Sequence, residues 1–147
     1  MEEHPGQKDH IILDARVGPH DIIQLTVGGK ITNDRLYAFI DWTEKVKKLV
    51  KDMSDKHPGN VLILSDVSKV THFESKPIVP LRELLHYNKQ YPAKSAVIGA
   101  KDLTRVLLDT VISLTSRDNI KQFTTKEDAL EWLLGTKEPG TTPEVAT

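Results

Sequence analysis

The chain has 147 residues, and its 20 lysines and arginines nearly balance its 21 aspartates and glutamates, so its formal net charge is −1. This balance argues against binding to nucleic acid by counterion release and against attachment to anionic lipid by bulk charge. The absence of cysteine excludes disulfides, thiol catalysis, iron–sulfur clusters and the usual structural zinc sites. A chain of this length predicts a single domain.

The first predicted structure is an antiparallel hairpin that follows a polar leader, residues 1–10. The leader has no apolar segment of the kind found in secretory signals, and no apolar run in the sequence approaches the ~20 residues of a membrane span, so we expect a cytoplasmic protein. Ile11–Val17 and Ile22–Val27 alternate between apolar and polar side chains, and the turn signal Gly18-Pro19-His20-Asp21 joins them. We expect Gly28-Gly29 to end the second strand.

Helices and buried strands are predicted to alternate after the hairpin. Apolar residues at helical spacing predict a helix over Thr32–Met53, and His57-Pro58-Gly59 ends it. Short continuous apolar runs are typical of strands buried on both faces, and they occupy three stretches: Asn60–Asp66, Lys94–Ile98 and Ile120–Phe123. Further helices are predicted within Ser75–Gln90, Asp102–Ser116 and Thr125–Leu134.

The end of the chain is predicted to form a capped helix and a frayed tail. Thr124 and Glu127 have the capping-box spacing at the start of the last helix, and Gly135 suits its C-terminal end. Residues 136–147 are rich in Thr, Pro and Glu and are predicted to be a tail, which leaves residues 11–135 for the domain. Because parallel strands need long crossovers, which the helices supply, we predict an α/β fold with the order β-β-α-β-α-β-α-β-α. It has a single mixed, mostly parallel sheet of about five strands with four helices.

Recognisable motifs for catalysis, metal binding or cofactor binding are missing from the sequence. The six histidines form no close helical pair, so no metal site is predicted. Gly28-Gly29-Lys30 lacks the spacing of P-loops and of dinucleotide-binding motifs, and no serine lies in a GxSxG motif. From Glu44 to Lys56, three acids offset five lysines and leave a segment charge of only +2, as on a solvated helix face. We therefore predict no enzymatic activity, no cofactor and no nucleic-acid partner.

The most informative stretch is Leu62–Leu85, LILSDVSKVTHFESKPIVPLRELL. A buried strand is predicted to end at Ser65-Asp66, and a polar loop leads from it to the next helix. Loops at the carboxyl ends of parallel strands are where open α/β sheets bind ligands or partners. The hydroxyl groups of this loop also have a simpler interpretation, because serine and threonine before a helix are ordinary caps.

The layout and this stretch resemble the STAS domain, the module of anti-sigma-factor antagonists and of sulphate-transporter tails. The similarity is greatest to its SpoIIAA-like, SEC14-like branch of small stand-alone proteins, and it covers Asp21–Leu134. Its matching segments are DIIQLTVGGKIT in the opening strand, LILSDVSKV before the second helix, AVIGAKDLTRVLL, and IKQFTTKEDALEWLL with the closing strand and helix. The order and spacing of these segments carry the resemblance.

The resemblance implies a partner-facing loop in which the antagonists carry Asp-Ser-Ser-Gly and a kinase phosphorylates the second serine. In this chain Glu74 takes the aspartate position and Ser75 that of the first serine. Lys76 falls on the phosphate acceptor and Pro77 on the glycine. Lysine is not that acceptor and Pro77 has no N–H to offer a phosphate, so the antagonists' phosphorylation switch is not expected here. A shift of one residue would make Ser75 the acceptor.

Two functions follow from the resemblance. The first is a non-enzymatic regulatory or protein-interaction module, whose partner-binding or switch residues are predicted to be Asp66, Ser68, Thr71, Ser75, Lys76, Gly99 and Lys101. The alternative, which the SEC14-like similarity suggests, is a carrier or sensor of a small apolar, lipid-like ligand. Its pocket is predicted between helices and sheet, with the lining Leu36, Phe39, Ile40, Leu81, Leu85 and Leu107, although these side chains could simply fill the core. The edge Ile11–Val17 is a predicted site of pairing with a second copy.

Overall fold

A computed structural model describes residues 11–91, 93–115 and 119–135, so the predicted leader and tail lie outside the described residues. Within these ranges the chain forms one five-stranded sheet in the order β1-β2-β3-β4-β5. The strands are β1 (Ile12–Val17), β2 (Ile23–Ile31), β3 (Val61–Phe73), β4 (Ala93–Ile98) and β5 (Ile120–Phe123). The helices are α1 (Leu36–Lys56), α2 (Ile78–Asn88), α3 (Asp102–Thr115) and α4 (Lys126–Leu134).

The strand directions confirm the predicted α/β fold with a mixed, mostly parallel sheet. β1 runs antiparallel to β2, and each later neighbour runs parallel to the strand before it. The four helices of the described ranges connect or follow the parallel strands in the predicted order. None of the helices in these ranges is long and apolar enough to cross a membrane.

The sheet buries apolar side chains on both faces. On one face, α1 packs Phe39, Val46 and Val50 against β2 and β3, and α2 and α3 lie on the same side. On the other face, α4 packs Ala129 and Leu133 against Ile22, which precedes β2, and against strand side chains of β3 and β4, namely Leu62, Leu64, Ala96 and Ile98. This double cover explains why β3 and β4 contain continuous apolar runs instead of alternating ones.

Helix α1 begins later than the sequence predicts. Asn33–Arg35 form a 3-10 turn, and the α-helix starts at Leu36. Trp42 lies on the buried stripe of the helix, and its indole Nε1 donates a hydrogen bond of 3.0 Å to the carbonyl oxygen of Asp14 on β1. This bond attaches α1 to the edge strand of the sheet.

Pairing of this edge strand, β1, with a second copy of the chain stays a prediction.

Two predicted strand ends are wrong, because β2 and β3 continue together beyond the rest of the sheet. β2 passes through Gly28-Gly29 to Ile31, and β3 passes through the predicted polar loop to Phe73. Two β-bulges interrupt their register, and each adds one residue on β3. Val67, Val70 and Phe73 therefore recur at every third residue and still pack against the same core. A strand with this spacing escapes a search for strict alternation.

The last helix is capped one residue later than the sequence predicts. The side chain of Thr125, and not that of Thr124, accepts a hydrogen bond of 3.1 Å from the backbone N–H of Asp128. Gly135 ends the helix as predicted, with a φ of 69° in the left-handed region. The shift leaves Glu127 and Asp128 in the first turn, where acidic side chains complement the helix dipole.

Candidate functional site

The predicted partner-binding residues lie along the extended pair of strands and in the turns beside it. β4 pairs with β3 as far as Asp66, whose partner is Ile98. β2 and β3 stay paired to Ile31 and Phe73. We call the paired segments Gly28–Ile31 and Lys69–Phe73 the ribbon. The structure thus replaces most of the predicted loop by a hydrogen-bonded strand, on which side chains have defined directions.

Asp66, Ser68 and Gly99 come together at the near end of the ribbon. The Asp66 carboxylate accepts a hydrogen bond of 2.9 Å from the backbone N–H of Ser68. Gly99 has a φ of +85°, and a Cβ at this position would lie 2.5 Å from the Cβ and 2.7 Å from the Cα of Ser68. Lys101 is exposed on the same turn. The turn after β4 therefore touches the backbone of β3, and a glycine is needed at the contact.

Glu74, Asn33 and Lys76 form a second group at the far end of the ribbon. The Glu74 carboxylate accepts a hydrogen bond of 2.7 Å from the backbone N–H of Asn33, while the Asn33 side-chain oxygen accepts one of 2.9 Å from the N–H of Lys76. The N–H of Glu74 also donates to the carbonyl of Ile31 at 2.8 Å. These bonds fix the turn after β3 against the turn after β2.

The predicted switch residues are divided between the two ends of the ribbon. Asp66 and Ser68 lie at the near end, whereas Ser75 and Lys76 follow the far end and are exposed. Extended strand rises about 3.3 Å per residue, so counting along β2, which has no extra residues, the two groups lie roughly 15 Å apart along the ribbon. Thr71, the extra residue of the second bulge, lies between them and is exposed.

The start of α2 has its backbone donors engaged within the chain. The N–H of Ile78 donates to the carbonyl of Ser75 at 3.1 Å, and that of Val79 donates to the carbonyl of Lys76 at 3.2 Å. Pro80, the next residue, has no N–H. Anion sites at helix N-termini depend on free N–H groups. This helix start therefore differs from a phosphate cradle, even though Ser75 is exposed beside it.

Sequence reasoning missed Asn33, which it placed inside the first helix. Thr32, Asn33 and Asp34 follow a strand directly, and clusters of such residues favour turns and local side-chain hydrogen bonds. The structure bears out this signal, since the hydroxyl of Thr32 donates to the carboxylate of Asp34. Among the described residues, no three His, Asp or Glu side chains come together as a metal site.

The lowered pKa of Glu74 leads us to expect that the free energy of unfolding falls in acid. The Asn33 N–H and the side chain of His72 hold the pKa of Glu74 below its usual value. The unfolded chain therefore takes up this proton at a higher pH than the folded chain does. The stabilisation is present above the usual glutamate pKa and is lost as the pH falls through the lower pKa of the folded state.

The test is urea unfolding of the wild type and of Glu74→Gln at about pH 6 and at about pH 3. We expect the free energy of unfolding to fall more between these two pH values for the wild type than for the variant. Glu83→Gln, the same change at an exposed position on α2, serves as the control and should follow the wild-type profile. Identical pH profiles for the wild type and Glu74→Gln would contradict the assigned role of this carboxylate.

An apolar cavity of about 80 Å³ lies between the sheet and helices α1, α2 and α3. A second cavity of about 50 Å³ shares part of its wall, Val27, Trp42, Val67, Leu81 and Leu108. Of the predicted pocket residues, Leu81 and Leu85 line the larger cavity, and Phe39, Leu81 and Leu107 line the smaller one. Leu36 and Ile40 are half-buried on α1 and belong to the wall of neither cavity.

The wall of the larger cavity includes polar groups that sequence reasoning missed. They are Ser65, Ser95 and Asn88, the last residue of α2. Asn88 is only 3% exposed. Its position at the end of a helix carries no local sequence signal, because an asparagine there is ordinarily solvated.

Comparison with protein families identifies a match. The family model described as SpoIIAA-like matches residues 22–134, which is most of the chain. No curated protein matches the chain.

The fold is also similar to those of solved structures. An uncharacterised protein with a SpoIIAA-like fold from Shewanella loihica is 21% identical, with 84% of this chain and 93% of that chain covered and a TM-score of 0.54. An anti-sigma-factor antagonist from Mycobacterium paratuberculosis is 16% identical, with 86% and 96% covered and a TM-score of 0.51. SLC26A9 is 15% identical, with 92% of this chain but 26% of that chain covered and a TM-score of 0.58. At these low identities, the TM-scores and the coverage of this chain show a shared fold.

Proposed function

The chain belongs to the SpoIIAA-like family, and from this premise we propose that it is a non-enzymatic regulatory module that acts by binding a protein partner. The similarity of its fold to that of an anti-sigma-factor antagonist supports the proposal. The structural feature that most supports this proposal is the ribbon. Its two ends are fixed by hydrogen bonds and a backbone contact, and exposed side chains lie along it.

A partner is proposed to bind the exposed polar side chains on and beside the ribbon: Lys69, Thr71, Ser75, Lys76 and Lys101. The Asn33–Glu74 bonds hold the far turn in place before binding, so little conformational freedom is lost when a partner binds. Lys76 places a basic side chain where the antagonists carry their phosphate acceptor. We therefore propose a partner with an acidic surface, whose binding is not switched off by phosphate at this position.

Reversing two of these charges tests the proposal. We expect Lys76→Glu/Lys101→Glu to weaken capture of the partner by about tenfold or more, because like charges then face each other across the interface. The measurement is quantitative affinity capture from an extract of the source cells with the tagged full chain, followed by titration of the captured protein.

Lys45→Glu/Lys51→Glu is the matched control, since it changes the net charge equally on the exposed face of α1. It should capture the partner as the wild type does, and all variants should unfold at similar urea concentrations. Equal capture by both double variants, or no partner recovered reproducibly with the wild type, would refute the proposed interface.

The larger cavity favours a second candidate function, the carrier or sensor of a small apolar ligand. Protein interiors are close-packed and leave few voids larger than a water molecule. Here about 80 Å³ is open beside a further 50 Å³, and the walls are mainly leucine, valine and isoleucine. Leu108 and Ile112 of α3 form part of the wall, so a movement of this helix would open the cavity. Saturable uptake of a small apolar molecule by the purified chain is the test of this function.

A further inference from the structure

Helix α3 packs less completely against the sheet than the other three helices. Each of those contributes buried side chains to an apolar core, for example Val46 of α1, Leu84 of α2 and Ala129 of α4. None of the described residues of α3 belongs to either core, although Val111 is only 1% exposed. Val106 on the same helix is 60% exposed. The helix therefore covers apolar side chains without completing a core of its own.

Both apolar cavities lie beneath this helix. Leu108 of α3 lines the two cavities together with Leu81 of α2 and Trp42 of α1, and Ile112 lines the larger one. Apolar side chains that border empty space lose the dispersion contacts that close packing provides. The unfilled volumes of about 80 Å³ and 50 Å³ therefore weaken the attachment of α3 to the rest of the domain.

A buried acceptor at the junction of α3 and β5 weakens the attachment further. The side-chain Nε2 of Gln122 on β5 donates a hydrogen bond of 2.6 Å to the carboxylate of Asp109 on α3. The oxygen Oε1 of the same amide group is buried and has no hydrogen-bond partner among the described residues. Such an acceptor has lost its hydration without a replacement, which is unfavourable. Separation of α3 from β5 would return this oxygen to water.

The turn before α3 provides a fixed point followed by a pivot. A Cβ on Gly99 would lie 2.7 Å from the Cα of Ser68, so the end of β4 is held against β3. Asp102, the first residue of α3, has a φ of 23°, which is unfavourable for a residue with a Cβ. A change of backbone angles over residues 100–102 would relieve this strain and would move the helix.

We propose that α3 is a lid, which opens away from the sheet about residues 100–102 while the rest of the domain stays folded. Openings of part of a protein occur where few apolar contacts are buried. Opening exposes the apolar space beneath the helix. Because Lys101 lies in the pivot, opening also moves a residue of the proposed partner surface. The opening requires neither a protein partner nor an apolar ligand, so the lid goes beyond both candidate functions.

Amide hydrogen exchange of the full chain tests the lid, under conditions in which the exchange rate reports the opening equilibrium. A helix of 14 residues is marginal in water on its own, so the amides of α3 exchange once it leaves the sheet. After correction for intrinsic rates, we expect amides in the middle of α3 to exchange at least about tenfold faster than those in the middle of α1.

Two buried valines supply matched variants, Val111→Ala on α3 and Val46→Ala on α1. We expect Val46→Ala to speed exchange in α1 by about tenfold or more and to leave exchange in α3 unchanged, because Val46 stays buried when α3 opens. Val111→Ala should speed exchange in both helices, because it destabilises the closed state relative to the open state and to the unfolded state.

Equal corrected exchange rates for α3 and α1 in the wild type would overturn the lid, since α3 would then separate only when the whole domain unfolds. An acceleration in α3 by Val46→Ala that equals the one in α1 would overturn it as well. The wild-type comparison requires no variant to fold.

Discussion

Gly99→Ala is expected to lower the free energy of unfolding by about 3 kcal/mol. Two effects add at this position. The φ of +85° is unfavourable for a residue with a Cβ, and the new Cβ would lie 2.5 to 2.8 Å from the Cβ, Cα and N of Ser68. Two of these atoms belong to the backbone of β3, so no side-chain rotation relieves the contact. Urea unfolding with an unchanged m value measures the loss.

Gly59→Ala is the matched control for Gly99→Ala. Its φ of +80° is nearly the same, but a Cβ there meets nothing within 4 Å. Only the backbone strain remains, and we expect a loss of about 1 kcal/mol. Ser68→Gly should not rescue Gly99→Ala, since the Cα and N of residue 68 stay in place. Equal losses in the free energy of unfolding for Gly99→Ala and Gly59→Ala would contradict the close contact between the turn after β4 and the backbone of β3.

Phe39→Ala is expected to lower the free energy of unfolding by about 4 kcal/mol. The ring is 1% exposed and is central to the larger core. Its centroid lies 5.4 Å from that of Trp42 and 5.7 Å from that of Phe73, which it meets edge to face. Phe73 is the last residue of β3, so this ring also supports the far end of the ribbon. Urea unfolding measures the loss of stability.

Tyr37→Ala supplies the control on the same helix. Tyr37 is 80% exposed, and we expect its removal to change stability by about 0.5 kcal/mol or less. Limited proteolysis should cut Phe39→Ala, but not Tyr37→Ala, faster near the end of β3. A loss below about 1 kcal/mol for Phe39→Ala would contradict its place in the core.

The sequence was sufficient for the fold because the fold depends on local patterns. Alternating apolar and polar residues predict β1, and continuous apolar runs predict the buried parts of β3 and β4. Apolar residues at helical spacing predict α1. The intervening helices are long enough to connect parallel strands. Element boundaries were less accurate at Gly28-Gly29 and Thr32, where a bulged strand and a 3-10 turn replace a strand end and a helix start.

The candidate site was predicted only in part. The sequence places Ser68 and Gly99 at the ends of neighbouring predicted strands, and the structure brings them into contact. The sequence also predicts Ser75 and Lys76 in the same loop as Ser68, yet strand pairing places them at the far end of the ribbon. The two bulges change the apolar spacing from two to three, and no local pattern of β3 distinguishes that spacing from a loop.

By itself the sequence determined the order and type of the elements and the mostly parallel sheet, because periodicity, breakers and crossover lengths act over short stretches of chain. Its matching segments also carried the family resemblance. Only the tertiary structure decided which polar groups meet. Asn33 and Glu74 are 41 residues apart in the chain and bind each other because β2 and β3 end side by side. The side-chain oxygen of Asn88 has no hydrogen-bond partner among the described residues, because packing between the sheet and the helices buries it away from water. Both properties arise from packing between distant segments, which local sequence patterns do not encode.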